Sequence, residues 1–163
     1  GRGERLLLPG RNAALEEGAG WDVAVAVEGW MSKVVRIEAD GTRVEDRPPM
    51  AITVLRDEGR VIVRVPYAAL GVDTPPEDWR IGVAVLSQEG FPSAGVDRVR
   101  DVARTAGQWV LGGGSGDATE TRIVDWLHPE PGVQETALGD RPDSDATQAT
   151  LTADDVAVVP LVP

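Results

Sequence analysis

The run Gly112-Gly113-Gly114-Ser115-Gly116 has the composition of a phosphate cradle. A P-loop needs Lys after its last glycine, to neutralise the β- and γ-phosphates, and then Ser or Thr. Asp117 and Ala118 stand there instead, and a carboxylate repels phosphate. The dinucleotide fingerprint fails too, because Gly112 and Gly114 would require Gly or Ala at position 117. A nucleophile elbow fails because the segment lacks its closing glycine. What remains is a tight loop between strands that uses positive φ angles.

A serine hydrolase would rest on His128, the sole histidine of the chain, near a serine and an acid. His128 precedes a proline at the end of a strand pattern, a position typical of a rim side chain. Glycosidase chemistry needs two carboxylates at a defined separation. With 27 acidic residues some pair is close in any fold, and nothing in their order marks one. No catalytic residue is assigned, and the chain is read as not an enzyme. Asp140, Asp143 and Asp145, with Thr147, set oxygen ligands at alternate positions as calcium loops do. Gln148 and Asp154 occupy the places where such a loop requires Gly and Glu. The segment therefore reads as a solvated acidic loop, with calcium the one candidate ion and no other cofactor.

Five of the seven aromatic residues are tryptophans. An indole offers apolar area and a face that stacks on sugar C–H groups, while its N–H needs a polar partner. Trp21 shares the apolar face of its strand and reads as core. Trp30 lies on the opposite face, with Asp22 and Glu28. Trp79 and Trp109 fall near strand ends, where loops gather. Packing and ligand stacking compete for each of them, and for Trp126.

The elements that would position these residues are strands. A chain of 163 residues fits a single domain and buries roughly two-thirds of its unfolded surface. Its 16 basic and 27 acidic side chains leave a net charge of −11, which argues against nucleic acid. No cysteine is present, so disulfides, thiolate metal sites and Cys nucleophiles are excluded together. No apolar run approaches the roughly 20 residues that span a bilayer. The chain opens Gly-Arg-Gly with no leader pattern, as a mature product or a piece of a longer chain would.

Valine is abundant, and Gly and Pro together are frequent, which favours short strands and many turns. In WDVAVAVEGW (21–30), Trp21, Val23, Val25 and Val27 alternate with Asp22, Ala24, Ala26 and Glu28, the period of a strand with its valine face in the core. Residues 33–38 form the next strand. Asp40-Gly41 predicts a hairpin into 42–46. Residues 50–56 and 60–65 form a second hairpin around Asp57-Glu58-Gly59, and Pro66 opens a helical turn closed by Gly71. Residues 79–86 place Ile81, Val83 and Val85 on one side, with Gly82 and Ala84 leaving room for a close neighbour on the other. Shorter strands are expected at 98–102, 108–111 and 122–127. Residues 130–150 read as a long acidic surface loop, and 156–159 as an edge strand. The fold class is all-β, a single β-sandwich over 1–163 of jelly-roll or immunoglobulin-like type.

Several stretches in order resemble the C-terminal domain of glucodextranase and related terminal domains of pullulanases and surface-layer-associated amylolytic enzymes. They are LLLPGRNA (6–13), WDVAVAVEGW (21–30), GRVIVRVPYAALG (59–71), WRIGVAVLSQEGFPS (79–93), VDRVRDV (96–102), WVLGGGSGDATETRIVDWLHP (109–129) and LTADDVAVVPLVP (151–163). The resemblance implies a non-catalytic β-sandwich that binds carbohydrate or attaches to a cell surface, with catalysis in other domains of a glycoside hydrolase. It implies an extracellular or surface location and a polysaccharide or cell-wall polymer as partner. Trp30, Trp79, Trp109 and Trp126 are the candidate ligand-binding residues, with Arg11, Asn12 and Asp117 as polar partners. Strands that precede the segment matching Leu6 in the family are absent. The domain is thus expected to expose unpaired edges, covered by another chain that supplies strands or by a copy of itself. The alternative function is a structural module that builds a surface layer or filament by strand pairing between chains.

Overall fold

The computed structural model describes residues 3–29, 31–88 and 99–162. The fold is all-β with few helical residues. Among the described residues the strands form one three-stranded and four two-stranded sheets. They pack as two compact units, one of residues 3–21 with 80–162, the other of residues 22–79.

In the unit of residues 22–79, β2 (Val23–Val27), β3 (Ser32–Ile37) and β4 (Arg43–Asp46) form an antiparallel sheet with β3 in the middle. The turn from β3 to β4 is the one that Asp40-Gly41 predicts, with the Thr42 N–H donating to Asp40 Oδ1 at 2.9 Å. The valine face of β2 is not the buried one. Ala26 is buried while Val25 and Val27 are exposed. Alternation identifies a strand, but two apolar faces leave open which of them is covered. Next, β5 (Ala51–Leu55) and β6 (Arg60–Arg64) pair antiparallel around a 3-10 turn at Arg56–Glu58. The helix α1 (Tyr67–Leu70) ends at Gly71 in the left-handed region, as expected for its cap.

In the other unit, Pro9-Gly10 turns the chain so that Leu7 N–H donates to Ala13 O and Leu15 N–H to Arg5 O. The following β1 (Ala13–Leu15) pairs in parallel with β11 (Ala157–Val159), in the register Ala13↔Ala157 to Leu15↔Val159. From this pair Leu15 and Val159, with the adjoining Val156, are fully buried in the core. The segment is the edge strand expected, paired on one side only, yet Ala157 and Val159 in it are buried, because β1 covers that side and α2 (Val133–Gly139) packs on it. Within the stretch expected to be loop, α2 forms through the apolar spacing Val133–Ala137. Antiparallel β7 (Ala84–Leu86) and β10 (Ile123–Trp126) set Ala84 opposite Trp126. Lastly, β8 (Asp101–Val102) and β9 (Val110–Leu111) pair in parallel and lead into the glycine run.

Candidate functional site

The tryptophans divide by burial and by the fate of their N–H. Trp126 is 2 % exposed and donates from Nε1 to Pro160 O at 2.9 Å. Trp21 is buried and donates to Leu6 O at 2.9 Å. Trp126 was expected as a ligand platform, but its ring lies in the core and presents no open face. Gly82 is the small neighbour that admits it: a Cβ there would sit 2.5 Å from Trp126 Cη2. Ile81, Val83 and Val85 point away and are exposed. Gly82→Ala is expected to destabilise the protein by about 1–3 kcal/mol through overpacking, measured by urea unfolding; an unchanged midpoint would mean that the ring has room to move.

Trp79 and Trp109 are different. They are 36 % and 39 % exposed, and neither indole N–H has a partner among the described residues. Trp109 sits at the turn before β9, where Gly107 N–H donates to Val110 O. The Arg100 guanidinium lies over its ring, 5.7 Å from the centroid, and is oriented by donating from Nε to Gln88 O at 3.0 Å. Such a contact contributes about 0.5–1 kcal/mol at an exposed site and holds the ring still. One face of Trp109 is covered by the cation. Trp30 lies outside the described residues.

The chain then runs into the glycine loop, where Gly113 and Gly116 have φ of 95° and 87°, a region that side chains disfavour. Ser115 is the hub of this loop. Its N–H and its hydroxyl both donate to Glu120 Oε2, at 2.7 Å and 2.5 Å. Arg141 reaches in from the acidic segment, donating to Ser115 Oγ at 2.6 Å and Asp117 Oδ2 at 2.9 Å and pairing with Glu120 at 3.3 Å. Arg104 donates to Ser115 O at 2.8 Å. The Ser115 hydroxyl, then Arg141, and at longer range Arg104 hold the Asp117 carboxyl below its ordinary value of 3.8. A depressed carboxyl stabilises the fold above its unfolded value, and that contribution is lost as pH falls through the folded value. The Arg141–Asp117 pair should therefore hold above pH 3.8 and weaken only as pH falls through the lower folded value. A carboxyl-carbon NMR titration checks this; an Asp117 midpoint above 3.8 would contradict it.

Sequence reasoning missed Ser115, Glu120 and Arg141 as a unit. The available signal was Arg141 itself, the only basic residue within positions 130–150. Asn12 and Arg11, expected as ligand contacts, are buried instead. Asn12 takes a φ of 51° and donates from Nδ2 to Ala118 O at 3.0 Å and Glu120 O at 2.8 Å. Its Oδ1 accepts from Gln148 at 3.2 Å. Arg11 donates to Pro9 O at 2.8 Å. Asn12 thus braces the loop from inside, and Arg11 ties the turn that leads to it.

His128 Nδ1 accepts the Glu130 N–H at 3.1 Å, an arrangement that closes a turn. Among the described residues no three acidic or histidine side chains gather as a metal site, so Asp140, Asp143 and Asp145 are not brought together. Instead Asp155 ties the segment down, accepting from the Ser144 and Thr152 hydroxyls. Between α2 and β11 runs an open groove of about 850 Å³. Val133, Ala137, Val156, Val158 and Pro160 line it, with Arg141 at its rim and no tryptophan in its wall. No helix among the described residues is long and apolar enough to cross a membrane.

A family model described as the SLH-like C-terminal binding module of glucodextranase matches residues 1–153. Comparison with curated proteins and with solved structures gave no match. The match runs from the Pro9-Gly10 turn through both open tryptophans, the glycine loop and its Arg141 latch. The chain belongs to the family of SLH-like C-terminal binding modules of glucodextranase.

Proposed function

We propose that the chain is a non-catalytic module that holds polysaccharide, either glucan or cell-wall polymer, for a secreted or surface-attached glucan-active protein. The observation that carries this reading is Trp109. Its ring is exposed and steadied by Arg100, and its N–H is unpartnered among the described residues, whereas the buried indoles Trp21 and Trp126 are satisfied by backbone carbonyls. A sugar stacks its C–H face on such a ring, and the N–H donates to a hydroxyl. Asp117, fixed at the end of the loop that follows and kept ionised, is a fitting acceptor for a second hydroxyl. Trp79 offers a second ring of the same kind in residues 22–79. The binding-module family supports the reading.

Affinity electrophoresis in gels containing starch, pullulan or dextran tests it. The chain is expected to be retarded in at least one, and Trp109→Ala is expected to weaken retardation about tenfold or more, with melting unchanged. No retardation of the unsubstituted chain in any gel, cell-wall polymer included, would overturn the reading.

A further inference from the structure

Arg122 immediately precedes β10 and is 8 % exposed. Its backbone N–H donates to Arg11 O at 3.1 Å, which ties it to the turn at Pro9-Gly10. Its guanidinium makes an ion pair through Nη2 with Asp101 Oδ1 at 2.9 Å, while Nε is buried and has no acceptor among the described residues. A buried charge with an unsatisfied N–H lowers stability, and an apolar side chain of similar size would suit such a site as well or better. The residue therefore calls for a role other than holding the core together.

Its partner points to that role. Asp101 is largely exposed, and its Oδ1 also accepts the Val102 N–H at 2.9 Å. Asp101 follows Arg100, whose guanidinium lies over the Trp109 ring, and it stands opposite Val110, which follows Trp109. The Gln88 carbonyl takes Arg100 Nε, and the Arg122–Asp101 pair fixes the strand that carries Arg100. The pair of β8 and β9 is only two residues long on each strand, too short to hold its own geometry. We propose that Arg122 is a positioning residue for the Trp109 face: it anchors Asp101 from the core, and so holds Arg100 and the indole in the register that stacks them. A binding surface keeps its geometry only when the side chains behind it are locked. This inference rests on the reading of Trp109 as the sugar-binding face.

Arg122→Met keeps the buried volume, removes the unsatisfied N–H and returns Asp101 to water, so its melting temperature is expected to match or exceed that of the unsubstituted chain. In the full chain labelled with fluorotryptophan, fluorine NMR gives a resonance for Trp109, identified by its loss in Trp109→Phe. Arg122→Met is expected to shift that resonance in the direction that Arg100→Met shifts it, while those of Trp21 and Trp126 stay in place. Adding Arg122→Met to Arg100→Met is expected to change it little further, since both act through one contact. Asp101→Ala, a change at an exposed position, is expected to shift it the same way; Asp101→Asn, which keeps an oxygen for Arg122, is not. In a gel that retards the unsubstituted chain, Arg122→Met is expected to weaken binding about two- to fivefold, the strength of an exposed cation–π contact. A Trp109 resonance that Arg122→Met leaves unmoved, or that moves only together with those of Trp21 and Trp126, would overturn the proposal, and so would undiminished retardation of Arg122→Met. If no gel retards any form, the sugar-binding reading fails, and the fluorine spectra alone still decide whether Arg122 positions the ring.

Discussion

Trp126→Ala is expected to lower the unfolding free energy by about 3–5 kcal/mol, the range for emptying a large aromatic site in a core. The ring is 2 % exposed, and a glycine at position 82 is what lets the backbone just before β7 approach it. Deleting the indole therefore leaves a cavity against backbone, which collapses poorly. The Pro160 carbonyl also loses the N–H that it accepts at 2.9 Å. Trp126→Phe separates the two contributions, since it keeps most of the apolar volume and removes only the hydrogen bond. It is expected to cost about 1–3 kcal/mol. Urea unfolding followed by circular dichroism reads both. A loss under about 1 kcal/mol for Trp126→Ala would place the ring at the surface, where its sequence context also allowed it to be.

Asn12→Ala is expected to cost about 2–4 kcal/mol, although the residue precedes a strand of only three residues. Two carbonyls, of Ala118 and Glu120, take their donor from its amide at 3.0 Å and 2.8 Å. The Ala118 carbonyl keeps the Gln148 amide as a donor, so one group is left unsatisfied, at roughly 1–3 kcal/mol where it cannot reach water. Alanine at a φ of 51° adds strain, on the order of 1 kcal/mol. Asn12→Gly relieves the strain but not the lost donors, so it should recover only that last part. Calorimetric melting measures the series. Equal stability of Asn12→Ala and Asn12→Gly would show that the backbone angle contributes nothing.

The hairpins of residues 22–79 were legible because turn chemistry is local: Asp40-Gly41 and Asp57-Glu58-Gly59 each specify a reversal within a few positions. What covers a strand is not local. The valines of β2 alternate with alanines, so period two named the strand, but the choice of the valine face as the buried one fails, and Ala26 rather than Val25 is inside. Pro9-Gly10-Arg11-Asn12 reads as an exposed polar turn, yet Asn12 is buried by a loop 106 positions away. That pairing has no trace in the order of residues around it. The same holds at β11, whose burial depends on β1 at the other end of the chain.

At the candidate site the residue type was legible and the role was not. Four indoles stood as equal candidates, and burial alone separates Trp126 from Trp79 and Trp109. The small side chains at positions 82 and 84 carried a hint, since they leave space that the Trp126 ring fills. The glycine run reads as a tight loop with positive φ angles, and Gly113 and Gly116 adopt them. Its closure by Arg141 required seeing a charge from the acidic segment 26 residues from Ser115 brought back onto the loop.

The most direct measurement of the central claim is acrylamide quenching of indole fluorescence with and without soluble polysaccharide. With a bound polymer over the open face of Trp109, quenching should fall on addition of the polymer. The protection should persist in Trp79→Phe to the extent that Trp109 carries it, and vanish in Trp109→Phe. Quenching that is identical with and without every polymer, or protection that survives the loss of Trp109, would contradict the assignment of that ring as the binding face.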